Sequence, residues 1–340
     1  MKAIVIEQFG DPHVLIQKQI EVPTFQTTDL LIQIKACAMN HLDIWVRKGL
    51  LKLPFPHILG SDISGVVQQV GNVIKDIKIG DEVVLSPGLS CGHCEACLNG
   101  DDNLCREYKV LGEHVWGGYA EFIKVPRQNV MIKSRNLSFE EAAAIPLTFL
   151  TAWQMLVRKA HVKPGDWVLV LAAGSGIGVA AIQIAKLFGA TVIATASTLA
   201  KLKKAEALGA DYTIHYIDKD FSEEVKKITK KRGVDIVVEQ TGKATWEKSL
   251  LSVKWGGTIV TCGATTGADA KTDLAHVFYR QLKILGSTMG SKGDLFEIMR
   301  WAEKGQLKPV IDEVLPLADA QKAHQKMESR NHFGKIILCP

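Results

Sequence analysis

Through residues 1–125 apolar and polar positions alternate in short runs broken by turns. AIVIE, VLIQKQIEV, DLLIQIKACAM and SGVVQQVG each read as a strand with one buried face, and Gly80-Asp81 turns the chain into EVVLS. The pattern predicts a barrel-like β domain. Between Ser138 and Lys159 the spacing becomes helical, with Pro146 marking a kink or break. From Asp166 onward, strand-like and helix-like stretches take turns. The order is WVLVLAA, a helix, TVIATA, a helix from Ala196, YTIHY, a helix around FSEEVKKITKK, VDIVVEQ, another helix, TIVTCG and LKILGS. That alternation predicts a doubly wound parallel sheet. The last stretch, with LFEIMRWAEKGQL and DAQKAHQKMES as helices and KIILCP as a strand, no longer extends it and is expected to return to the first domain.

One junction carries chemistry. The apolar run Val168–Leu171 leads into AAGSGIG and then a long apolar helix with Gln183 and Lys186 as polar interruptions. Gly174, Gly176 and Gly178, with Ser175 and Ile177 between them, form a turn in which the backbone can approach a pyrophosphate. The phosphate charge would then face the free N–H groups at the helix start. An incidental glycine turn is the bland alternative, and the strand before and helix after weigh against it.

Composition adds exclusions. The chain has 340 residues, enough for two domains, and its 41 basic and 36 acidic residues leave a net charge of +5. The basic string Lys226–Arg232 follows Glu223 and Glu224 on the same expected helix, so it reads as a solvated face rather than a nucleic-acid surface. No apolar run nears the ~18 residues of a membrane span. The N-terminal MKAIVIEQFG lacks a signal-peptide layout, and a cytoplasmic location is expected.

Four of the seven cysteines fall in one loop, Cys91-x2-Cys94-x2-Cys97-x7-Cys105. Tight turns at this spacing can converge four thiolates on a tetrahedral ion, the requirement of a closed structural zinc site. The common iron–sulfur run differs, with its fourth cysteine closer and followed by proline. Cys37, Cys262 and Cys339 lie in or beside apolar strands and read as small core residues.

With these motifs in place, the chain resembles the medium-chain dehydrogenase/reductase superfamily, that of zinc-type alcohol dehydrogenases and quinone oxidoreductases, over nearly its whole length. GSDISGVVQQVG followed by GDEVV, the four-cysteine lobe, AAGSGIGVAAIQIAK and LGAD carry the resemblance. It implies a GroES-like β-barrel catalytic domain over 1–150, completed by 291–340, and a Rossmann nucleotide-binding domain over 151–290. It also implies an active-site cleft at their junction and a homodimer or homotetramer.

Departures from the family pattern then shape the expected chemistry. Zinc-dependent members carry a cysteine ligand where this chain has Asn40, a Ser/Thr proton relay where it has Leu42, and a histidine ligand where it has Ser61; the acid that follows is kept as Asp62. PLTFLTAW supplies no third ligand. NHLDIWVRKG instead is similar to the quinone and enone reductase branch. Such acceptors are already electrophilic, so a hydrogen bond to their oxygen can replace a Lewis acid. Asn40 is the candidate donor, with Asp62 and Trp45 as further candidate catalytic residues. The Trp45 indole can donate a hydrogen bond but not a proton, which would come from water. Asp43 and Arg47 suit a structural ion pair as well as any catalytic part, and no chemistry is assigned to them. His41, Asp62 and His114 offer an irregular zinc site as the alternative.

The second strand of the Rossmann pattern ends without the acid that binds an adenosine ribose in NAD-dependent members. Ser197, Thr198 and Lys201 follow, with Tyr216 added by resemblance, and they suit a 2′-phosphate. NADPH is the expected coenzyme; Gly263, closing TIVTCG, completes its proposed set. The leading reading is an NADPH-dependent quinone or enone reductase with one structural zinc per chain and a small-molecule carbonyl substrate. The alternatives are a zinc-dependent alcohol or aldehyde dehydrogenase and a non-catalytic nucleotide-binding protein.

Overall fold

The computed structural model describes residues 1–49 and 51–340. It divides into two compact units, one of Met1–Leu150 with Gly290–Pro340 and one of Thr151–Met289.

In the first unit the long strand Asp29–Ala38 is the hub. It pairs antiparallel with Asp62–Val70, with Phe122–Pro126 and with Lys335–Cys339. Lys335–Cys339 pairs in turn, parallel, with Ile311–Pro316. Alternate residues of these strands, Leu30, Ile32 and Ile34 against Ile63, Val67, Val83 and Ile123, fill one apolar core. Ser138 opens the helix Phe139–Ala143 with a reciprocal cap: its hydroxyl accepts the Glu141 N–H at 3.2 Å, and the Glu141 carboxylate accepts its N–H at 2.8 Å. Pro146 does not kink a single helix but starts a second, Pro146–Trp153, where its missing N–H costs nothing. That helix runs on as a wide π turn, Gln154–Lys159.

The second unit is a six-stranded parallel sheet whose order, numbered within the unit, is 3-2-1-4-5-6. Its strands are Trp167–Val170, Thr191–Ala196, Tyr212–His215, Val234–Glu239, Val253–Thr261 and Lys283–Gly286. The first and fourth strands lie side by side, so the chain reverses direction across the sheet between them. Ligands of open parallel sheets bind at the carboxyl ends of strands at such a reversal. Leu169, Ile193, Val237 and Ile259 pack with Phe221, Trp246 and Leu250 in the core. The basic string is only partly helical, because the helix Phe221–Ile228 ends before Lys230 and Lys231, both left-handed (φ 51° and 69°). Lys226 and Lys227 are paired with Glu223 and Glu224, as on a solvated face.

Candidate active site and coenzyme turn

The glycine turn follows the first strand of the parallel sheet. Ala172 takes a left-handed φ of 48°, and Ser175 caps the helix Gly176–Leu187 by accepting the Gly178 N–H at 2.9 Å. The Ser175 hydroxyl donates to Gln240 Oε1 (3.2 Å), and Gln240 Nε2 donates to Leu171 O (2.8 Å), which ties the turn to the fourth strand. Gly178 is obligatory for packing: a Cβ there would lie 2.4 Å from Ala172 O and 2.8 Å from Ala173 Cα. Gly174 precedes the cap, Ile177 is the second helical residue, and Gly263 follows the fifth strand, its carbonyl facing the Thr261 hydroxyl at 3.4 Å. At the end of the second strand, Thr198 caps Leu199–Ala207 by accepting the Lys201 N–H at 3.2 Å. Ser197 is half-buried, and Tyr216 is exposed on the neighbouring strand end.

The four lobe cysteines converge, with all four Sγ atoms within 4.8 Å of one another. Cys91 and Cys97 are 3.9 Å apart and Cys94 and Cys97 3.5 Å, close to the ~3.8 Å edge of a tetrahedron with metal–sulfur bonds of about 2.3 Å. Backbone N–H groups of Cys94 and Cys91 point at the Cys91 and Cys105 sulfurs, as thiolates require. The Lys292 ammonium binds Asp102 at 2.7 Å and ties the lobe to the helix Lys292–Glu303. This donor set fits a closed tetrahedral ion.

Asn40, Asp62 and Lys335 form a second, buried constellation. Lys335 Nζ donates to Asn40 Oδ1 at 2.5 Å and to Asp62 Oδ2 at 3.0 Å, and Asn40 Nδ2 donates to the same Asp62 oxygen at 2.9 Å. An ammonium cannot accept, so the amide oxygen must face it and the amide nitrogen must face Asp62. The other Asp62 oxygen accepts the Leu147 N–H at 2.8 Å. At the start of the helix His41–Arg47 the Asp43 carboxylate reaches back to accept the Asn40 N–H at 2.8 Å. The second Asn40 amide hydrogen has, among the described residues, only Ala38 O, at 3.4 Å. Ser61 is fully buried beside this group, its hydroxyl without a hydrogen-bond partner among the described residues. An ammonium, an amide and a hydroxyl do not fit a catalytic divalent metal. Among the described residues, His41, Asp62 and His114 do not gather into a ligand group either. His114 Nδ1 instead accepts the Val110 N–H, and His41 stacks edge-on against Trp45 with ring centroids 5.1 Å apart.

Asp43 and Arg47 do not pair directly. Arg47, fully buried, donates to Glu328 (2.7 Å) and to His324 Nδ1 (3.0 Å). With Nδ1 accepting, the ring hydrogen sits on Nε2 and is donated to Tyr119 Oη (3.3 Å), whose own hydrogen goes to Asp43 Oδ2 (3.2 Å). Asp43 also accepts the N–H groups of Asn40 (2.8 Å) and Gly60 (3.1 Å), holding together the two segments that carry Asn40 and Asp62. Burial pushes the Asp43 carboxyl up to about 6 and the His324 imidazole down to about 3.

Two family models cover most of the chain: "Alcohol dehydrogenase GroES-like domain" matches residues 26–135 and "Zinc-binding dehydrogenase" matches 176–304. The chain belongs to the zinc-type medium-chain dehydrogenase/reductase superfamily. A solved structure titled NAD-dependent alcohol dehydrogenase superposes with a TM-score of 0.97 at 53% identity, covering 100% of both chains. An alcohol dehydrogenase of Geobacillus stearothermophilus is 34% identical over 99% of each chain. A crotonyl-CoA carboxylase/reductase of Cereibacter sphaeroides is 32% identical over 97% of this chain and 84% of its own. As a superfamily member the chain is an NAD(P)H-dependent oxidoreductase with a GroES-like domain and a Rossmann-like sheet. Sequence reasoning missed Lys335, Tyr119 and His324. Lys335 left one weak signal, a charge directly before the apolar run IILC.

Proposed function

We propose that this oxidoreductase reduces quinones or α,β-unsaturated carbonyl compounds with NADPH and polarises the acceptor through Asn40 rather than through a metal. The observation that carries the reading is the Lys335 ammonium bonded to Asp62 and to Asn40, the residue that stands where the resemblance puts a cysteine ligand of zinc-dependent members. NADPH, when bound, supplies the hydride. A cation on the amide oxygen draws electron density from the Asn40 nitrogen and makes its N–H a stronger donor. The weakly held second hydrogen is the one available for an acceptor oxygen, stabilising the negative charge that grows there. Asp62 fixes the amide, Trp45 can add a hydrogen bond, and water supplies the final proton. Ser197, Thr198, Lys201 and Tyr216 are assigned to the 2′-phosphate, and Gly174–Gly178 with Gly263 to the rest of the coenzyme. The four lobe thiolates would hold one structural zinc.

The seven cysteines are all free, in keeping with a reducing cytoplasm. Among the described residues no helix is long and apolar enough to cross a membrane. Self-association with a second copy is assigned to the open edge strand Lys283–Gly286, beside which Trp255, Phe278 and Tyr279 are exposed. An open edge can pair with its own copy across a two-fold axis. Trp255→Glu should then lower the mass measured by light scattering, and an unchanged oligomer would reject this surface.

The 53% identity to a structure titled NAD-dependent alcohol dehydrogenase favours a second reading, alcohol oxidation at an irregular metal site. NADPH oxidation against quinones, enones and aldehydes, beside NADP⁺ and NAD⁺ reduction by alcohols, separates the two. Turnover of quinones or enones that survives a mild chelator supports the first reading. Turnover of alcohols alone, lost on chelation, replaces it with the second.

A further inference from the structure

His215 ends the third strand of the parallel sheet, opposite Ala196 of the second. Its Nε2 lies 2.8 Å from Ser197 O and its Nδ1 2.6 Å from Asp218 Oδ2. A carbonyl and a carboxylate can only accept. A neutral imidazole has a single N–H and would turn a lone pair on one of these oxygens, whereas an imidazolium donates to both. The two bonds favour the charged ring and raise its pKa, the Ser197 carbonyl contributing most and Asp218 next.

We propose that the His215 imidazolium is a pH-sensitive specificity element of the coenzyme site. It pins the Ser197 peptide and places a positive charge beside the residues assigned to the 2′-phosphate. This inference rests on the NADPH reading above. Among the described residues Asp218 is the ring's only carboxylate partner, and it is mostly exposed, so water screens its repulsion of a phosphate. The helix Leu199–Ala207 brings Lys201, Lys203, Lys204 and Glu206, and Glu206 is bonded to Thr213. The helix Phe221–Ile228 brings Glu223, Glu224, Lys226 and Lys227, which pair among themselves and with Lys219. A cation of raised pKa is present at low pH and lost as pH rises through that value. Affinity for NADPH should therefore fall with rising pH while affinity for NADH does not. The second phosphate proton leaves with a pKa of about 6, and its loss adds negative charge that would strengthen binding as pH rises, so its titration cannot produce this fall.

The test is equilibrium binding of NADPH and NADH by nicotinamide fluorescence from about pH 6, near the ordinary imidazole value, to about pH 9, with 2′,5′-ADP against AMP by calorimetry as a second readout. In the parent protein the NADPH-over-NADH ratio should drop about threefold or more across this range. His215→Asn keeps a donor for Ser197 but no charge; it should bind NADPH about three- to tenfold more weakly at pH 7, without pH dependence, and leave NADH unchanged. Asp218→Asn should move the fall to lower pH. A constant NADPH preference at every pH, or a His215→Asn variant that weakens both coenzymes alike, overturns the role of His215 while leaving the NADPH reading standing. Equal affinity for the two coenzymes throughout rejects the NADPH reading itself, and the inference with it.

Discussion

Lys335 Nζ and Asp62 Oδ2 lie 3.0 Å apart although their residues are 273 positions apart in sequence, and both side chains are almost wholly buried. Breaking such a pair from one side strands the other charge away from water. Lys335→Met should destabilise the protein by about 3–5 kcal/mol in urea unfolding, and Lys335→Arg by less. A Lys335→Met protein as stable as the parent would show that Asp62 does not need this partner.

The lobe should hold one zinc per chain, since four thiolates saturate a tetrahedral ion and leave no open position. Cys97→Ser should remove that metal and loosen the lobe, because binding and loop folding are coupled. Metal analysis and limited proteolysis measure both effects. Two zincs per chain in the parent, the second required for turnover, would install the dehydrogenase reading.

Gly178→Val should abolish nucleotide binding and also cost stability. Its first added carbon would already lie 2.4 Å from Ala172 O, so the helix must shift before any coenzyme arrives. Overpacking of this kind costs about 1–3 kcal/mol. A variant that unfolds like the parent, or binds coenzyme like it, contradicts this packing argument.

Acid stability should be set by two buried groups with opposite signs. His324, held down to about 3 against about 6.5 for a free imidazole, favours the folded state at neutral pH. That contribution is lost as pH falls through the window, at up to about 1.4 kcal/mol per pH unit. Asp43, raised to about 6 from about 3.9, works the other way: its contribution is present below about pH 4 and lost as pH rises through 6. The two offset between about pH 6 and 4, and below that only the His324 loss remains. Urea midpoints taken down this range should fall less steeply in His324→Gln than in the parent. Identical slopes would mean that His324 takes up its proton in the folded state.

The parallel sheet was legible because each of its strands is a short apolar run between helical stretches, a local signal. The cysteine lobe was legible for the same reason, its spacing lying within fifteen residues. Lys335 was not. A lysine at the head of a strand reads as a solvent-facing end, and only the fold shows that Asn40 and Asp62 wait for it. The structural reading of Asp43 and Arg47 as an ion pair, one of two left open by the sequence, missed in a related way. Four residues of helix put the two near each other, but Tyr119 and His324, from distant segments, fill the space between them. The basic string was read too regularly: the chain leaves the helix at Thr229, whose hydroxyl bonds back to Val225 O and accepts the Gly233 N–H.

The division of the chain has a consequence for its synthesis. The unit Thr151–Met289 is continuous, whereas the unit around Asn40 needs Gly290–Pro340 to be whole. Lys335–Cys339 lies between Ile311–Pro316 and Asp29–Ala38 in its sheet, so the Cys37–Ala38 end of the earlier strand lacks this partner until the later one arrives. Domains usually mature on the ribosome in the order they are translated. Here the order inverts: the middle of the message yields a finished unit first, while the opening part must be kept from wrong partners through the translation of nearly two hundred further codons.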